Sequence, residues 1–138
     1  MSIFYKDQRL AHMSKGDAYL WSKFLDKYPN LYGAYEYDVR VGKGVVLPVT
    51  APDWLKKSAS DLSKKRIDVV GHGRKHIAVF EVRVNAKANV LGELISYRYL
   101  YATTFNPIKP VIPILITDYI DADLLIALRE LNFIFYIV

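Results

Sequence analysis

The sequence has no cysteine and a single glutamine, Gln8. The missing thiols exclude a disulfide scaffold, a zinc–thiolate site, an iron–sulfur cluster and a cysteine nucleophile. No run of about 18 apolar residues is free of charge or proline, so no membrane span is expected. Lys6, Asp7, Gln8 and Arg9 stand where a secretory signal would need an apolar core, which makes the cytoplasm of a cell or host the expected compartment. Neither an internal repeat nor a low-complexity stretch is present. What is there is globular: 138 residues, 52% hydrophobic and 24% charged, the size of one domain. We expect an arm over 1–13 and a single core over 14–138.

The positive charge is concentrated in one segment. Of a net +5, residues 53–87 supply nine Lys/Arg against four acids, and the flanks cancel. Lys56, Lys57, Lys64, Lys65, Arg66, Arg74, Lys75 and Lys87 are therefore candidates for contact with a polyanion, most naturally a nucleic acid. A solvated, lysine-rich loop is the plainer reading of the same run.

Ser14 is placed to cap a helix from about Asp17 to Tyr28, striped by Ala18, Leu20, Trp21, Phe24 and Leu25 and stopped by Pro29. GAYEYDVRV (33–41) alternates as a strand, with Glu36, Asp38 and Arg40 on one face. Residues 42–65 read as loop, with a short strand within Val45–Val49 and a single helical turn between Trp54 and Lys64. RIDVV (66–70) and HIAVFEVRV (76–84) flank a turn-rich connector and read as an antiparallel hairpin. A helix over 89–104, a strand over 111–117, a helix over 122–131 capped by Asp121, and a strand over 133–138 complete the chain. The β-prone FIFYIV is either interior to the sheet or a dimer or assembly contact. The fold class expected is α/β: a mixed sheet with helices on both faces and parallel pairing in its second half.

Within the hairpin, Asp68 and Glu81 interrupt apolar runs. A charge there is costly unless paired or bound to a cation. With the turn at Arg74-Lys75, positions 68 and 81 face each other, roughly 5 Å apart at Cβ. That spacing suits a shared divalent ion, with Arg83 two residues along on the Glu81 face. The same residues also suit an acid–base cluster on a wet sheet face. His12, His72 and His76 are isolated. Gly71-x-Gly73 lacks the helix and third glycine of a nucleotide-binding loop. The serines have no His/Asp company, and most of the eleven tyrosines suit packing.

The segments RIDVV and FEVRV, in an α-β-β-β-α-β order with an added helix and strand, resemble the PD-(D/E)XK nuclease superfamily, the restriction-endonuclease-like fold. VLGELISYRYLY (90–101) resembles the family's following helix, with Glu93 and Tyr97 at its Glu/Gln and Tyr places. The resemblance implies metal-dependent hydrolysis of a phosphodiester in DNA. Asp68, Glu81 and the Val82 carbonyl would hold Mg²⁺ or Mn²⁺. Glu36 or Asp38 would match an additional acid, with Asp17 a weaker candidate. Arg83 takes the place of the family lysine. An arginine cannot accept a proton from water, although it can position a nucleophile or stabilise charge. The contrasting expectation is a relative that has lost catalysis and kept nucleic-acid binding or a structural role. Arg83 closing a salt bridge onto one acid, with no ion, would mark it. A homodimer or larger assembly is frequent in the superfamily, and so compact a core suits a viral or mobile-element process.

Overall fold

The computed structural model describes residues 8–138, so the first half of the expected arm lies outside the described residues. Its second half does not stand off as an arm. Gln8–Leu10 form a 3₁₀ turn, and Leu10 and Met13 are buried in the core. An apolar pair so close to the first helix costs less when it is covered than when it stays in water.

The elements in chain order are α1 (Lys15–Lys27), β1 (Ala34–Val41), α2 (Asp53–Ser63), β2 (Lys65–His72), β3 (Ile77–Arg83), α3 (Val90–Phe105), β4 (Val111–Thr117), α4 (Ala122–Glu130) and β5 (Ile134–Ile137). The described strands form one sheet in the order β1-β2-β3-β4-β5. The first two pairings are antiparallel and the last two parallel. This is the mixed α/β architecture expected. Helix α1 covers one face, packing Ala18, Leu20, Trp21 and Phe24 onto Val69, Ala78, Phe80, Val82, Ile114 and Ile116. Helices α3 and α4 cover the other.

The caps form where the side chains demand them. The Ser14 hydroxyl accepts from the Asp17 N–H at 3.1 Å, and the Asp121 carboxylate accepts from the Asp123 N–H. Pro113 sits inside β4 without losing a ladder bond. The Ile77 N–H to Pro110 carbonyl bond sets the alternation, so position 113 points away from β3, and β5 begins its pairing only at Ile114.

The structure departs from the sequence reading in three places. Asp38 is left-handed, with φ 56°, although its neighbours keep register opposite β2. The side chains change faces across it: Tyr35 and Tyr37 pack on the α1 side, whereas Val39 and Val41 pack on the α3 side. A strict period of two therefore fails for Glu36, Asp38 and Arg40. Second, β5 is the edge strand, so of the two expectations for FIFYIV the interior placement does not hold.

Third, 42–65 holds no strand at Val45–Val49, and its helical turn is an eleven-residue helix, α2. No residue of α2 is buried, so the burial pattern on which a helix is usually recognised is missing. Polar bonds hold it instead. Ser63 Oγ accepts from the Val45 N–H, and the Ser60 hydroxyl donates to the Lys43 carbonyl. Gly44 has φ +69°, and a Cβ on it would overlap the Ser60 carbonyl oxygen. Gly44→Ala is expected to detach α2 while leaving the core intact. Amide exchange across 53–63 should quicken, with the melting temperature changed by no more than about 3 °C. Unchanged exchange there would refute this account of the loop.

Candidate active site

The hairpin forms in the expected register. Val69 pairs with Phe80, which places Asp68 across from Glu81. Ladder pairing stops at 69/80, and the strands separate just where the two acids stand. The Asp68 carboxylate occupies the gap: its Oδ2 accepts from the Val82 N–H at 3.3 Å, replacing the β2 carbonyl that an unbroken ladder would supply. The N–H and C=O of one strand residue point to the same side, so the Val82 carbonyl looks into this gap as well. Glu81 is only 4% exposed. Its Oε1 accepts from the Arg83 guanidinium at 2.6 Å, and its buried Oε2 has no partner among the described residues. The same Arg83 nitrogen donates to Glu93 Oε2 at 2.6 Å.

Three elements meet at this end of the sheet. Helix α1 delivers Asp17, whose Oδ1 accepts from the Val84 N–H at 2.9 Å. The chain before it delivers His12, whose Nε2–H donates to the Asp68 carbonyl at 3.0 Å. Helix α3 delivers Glu93 and, one turn later, Tyr97. Burial, followed by the charges of Glu81, Glu93 and Asp68, pushes the Tyr97 phenol up to about 12.

Both central acids are hard to ionise. Burial pushes the Asp68 carboxyl up to about 6, against the Val82 N–H that favours its charge. Burial, and then the neighbouring Asp68, pushes Glu81 up to about 9. The Arg83 guanidinium opposes that rise without cancelling it. Two acids held beside each other in a site that resists their ionisation, one with an unbonded buried oxygen, are the residues that could hold a cation.

The donor set fits Mg²⁺ or Mn²⁺. These ions take one or two carboxylates, here Asp68 and Glu81, with a backbone carbonyl and water completing the shell. Among the described residues no group of three or more His, Asp and Glu side chains is gathered tightly enough to hold an ion by itself. Water would have to supply the remaining ligands.

Of the residues read from sequence as candidates, Asp68, Glu81, Val82, Arg83, Glu93 and Tyr97 come together. Glu36 does not: its carboxylate bonds to His72 Nε2 at 2.5 Å, toward the turn end of β2. Asp38 is held by Arg66 through paired contacts of 2.6 and 2.5 Å, and that hydrogen bonding keeps its carboxyl below the usual range. The acid that reaches the group is Asp17. His12 had no signal in sequence, since its contact spans 56 residues.

Two solved structures share this fold. A repair endonuclease from Pyrococcus abyssi superposes with a TM-score of 0.53 at 13% identity, over 99% of this chain and 49% of that one. An EndoMS–dsDNA2 complex gives 0.52 at 14% identity, over 99% and 48%. The chain thus spans about half the length of each. No protein-family model matches the sequence, and no curated protein does.

The basic segment is divided by the fold. Arg74 and Lys75 lie in the β2–β3 turn, about 20 Å of strand away from Asp68. Lys64, Lys65, Arg66 and Lys87 lie at the acidic end. Lys56 and Lys57 ride on α2. Arg66 is committed to Asp38, Lys64 to Asp61 at 3.3 Å and Lys56 to Asp53 at 3.9 Å. Lys57, Lys65 and Lys87 have no such partner among the described residues. No described helix is long and apolar enough to cross a membrane.

Proposed function

We propose that the protein is a metal-dependent deoxyribonuclease of PD-(D/E)XK type. The observation that carries this reading is the separation of β2 from β3 at 68/81, with Asp68 on the Val82 N–H and a buried, unbonded Glu81 Oε2 beside it. Asp68, Glu81 and the Val82 carbonyl would hold Mg²⁺ or Mn²⁺. The ion, when bound, supplies a Lewis acid for the phosphate and lowers the pKa of a coordinated water. Arg83 then moves from Glu81 toward the phosphodiester, its planar fork matching the phosphate oxygens, while Glu93 keeps its charge paired. Because arginine holds its proton, the base is water or a substrate oxygen and not residue 83. Lys57, Lys65 and Lys87 are free to meet the DNA backbone on this side.

One observation favours a second reading. Arg83 bridges two acids, and such a bridge is also what a degenerate, DNA-binding or structural relative would keep. Cleavage decides between them. Linear, single-stranded and branched DNA are incubated with Mg²⁺ or Mn²⁺ beside Asp68→Ala and Glu81→Ala. Cleavage abolished in both variants is the expected result. Cleavage that survives in both would remove the site from the chemistry. Salt-sensitive binding without cleavage would establish the second reading.

A further inference from the structure

Helix α2 is amphipathic in the wrong sense. Its inward side is polar and small, with Lys56 on the Val49 carbonyl, Ser60 on the Lys43 carbonyl and Ser63 on the Val45 N–H. Its outward side carries Trp54, 70% exposed, and Leu62, 80% exposed, with Leu55 beside them. At 100° per residue these three fall within an arc of about 100°, one face of the helix. Val46 and Val49, on the loop that α2 rests against, are exposed too. Water should not be the standing partner of a tryptophan and two leucines on a single face.

Charge says which partner fits. Residues 40–66 hold seven Lys/Arg (Arg40, Lys43, Lys56, Lys57, Lys64, Lys65, Arg66) and two acids (Asp53, Asp61). A second copy docked about a two-fold axis would bring this surplus against itself. A polyanion is attracted by it, and a nucleic acid also brings flat apolar faces that stack on an aromatic ring. The helix stands at the correct end of the sheet, because it leads directly into β2, three residues before Asp68 on that strand. At its root, Lys43 and Lys65 flank a cleft of about 340 Å³ floored by Val41 and Leu100.

We infer that α2 and its loop grip unpaired bases of the strand entering the Asp68–Glu81 site, with Trp54 as the stacking surface. The substrate class is therefore DNA with single-stranded character, not uninterrupted duplex. This rests on the nuclease reading and deepens it.

The test titrates metal-free protein, which leaves DNA uncleaved, with a single strand of about 20 thymidines and with a blunt duplex of equal length. Tryptophan emission and anisotropy are read together. Trp21 is 0% exposed, so emission changes on binding report Trp54. Trp54→Ala is expected to weaken single-strand binding about 10- to 100-fold and duplex binding by less than about threefold. Trp54→Phe should restore most of the loss. Circular dichroism of each variant separates a lost ring from a melted helix. Equal losses on both DNAs, or no loss, would overturn the inference. So would Trp54 emission that changes with protein concentration and no DNA, which would assign the face to a second copy. If Trp54→Ala leaves the single-strand preference intact while Asp68→Ala still abolishes cleavage, this inference alone fails. If the wild type binds neither DNA and cleaves none with Mg²⁺ or Mn²⁺, the nuclease reading fails with it.

Discussion

Glu81→Gln is expected to abolish metal-dependent cleavage and, at the same time, to stabilise the metal-free protein at alkaline pH. The loss of activity should be about 1,000-fold or more, because a carboxylate that holds the ion supports several kcal/mol of transition-state stabilisation. The gain in stability follows from the raised pKa. Glu81 moves from 4.5 to about 9 on folding, first through burial and then through Asp68. The folded state therefore holds a proton that the unfolded state has released. That contribution is fully present below about pH 4.5 and is lost as pH rises toward 9. Asp68, raised to about 6, acts in the same direction over a lower window. Glutamine is neutral throughout, fills the same volume and still offers an oxygen to Arg83, which keeps Glu93 as a charged partner.

Wild type and variant should therefore melt alike near pH 4.5. By pH 8 they should separate by on the order of a few kcal/mol, with the variant the more stable. Thermal melts in chelator across this range read it directly. If both proteins lose stability in parallel as pH rises, Glu81 is not the group that carries the strain. Joint loss of activity and gain in stability is the behaviour of a residue kept for function; a structural ion pair would lose stability on substitution.

Much of this architecture was written in local pattern, and the reasons are particular. β4 came through at its observed bounds because six apolar residues and a threonine, mostly buried between neighbours and rich in β-branched side chains, favour a strand. α1 and α4 were legible through Ser14 and Asp121, whose side chains bond the N–H groups that helix starts leave open. The register of the hairpin was legible because a tight turn fixes it. α2 was not, since helices are recognised by the face they bury and this one buries nothing. Asp38 hid a change of face: a left-handed residue within a strand breaks the period of two without interrupting the pairing. The site was half legible. Asp68, Glu81 and Arg83 are close in sequence terms and joined by one turn. The contact of His12 with Asp68, and the position of Glu36 on His72, are set by packing between distant segments, which no spacing records.

The other large effect concerns the core that holds this site in place. The two tryptophans are expected to respond very unequally to the same substitution. Trp21 is wholly buried at the centre of an aromatic cluster, with ring centroids 5.0 Å from Phe80, 5.2 Å from Phe24, 5.2 Å from Tyr35 and 6.3 Å from Tyr37. Its Nε1–H donates to the Tyr37 hydroxyl at 3.3 Å. Those partners belong to α1, β1 and β3, so this one side chain ties the helix carrying Asp17 to the strand carrying Glu81 and Arg83. Trp21→Ala should cost about 3–5 kcal/mol, the sum of lost transfer energy and a cavity that aromatic neighbours on rigid strands cannot close. For a domain of this size that is a fall in melting temperature of roughly 10–15 °C. Trp54→Ala removes the same atoms from a solvent-facing helix and should change stability by less than about 0.5 kcal/mol. Urea melts of the two variants beside the wild type check both values. Were Trp21→Ala to cost under about 1 kcal/mol, α1 would not be docked through this ring. The site would suffer first in any case: with α1 loosened, the Asp17 contact to the Val84 N–H opens while the hairpin still pairs, so cleavage should fall at temperatures where the sheet remains folded.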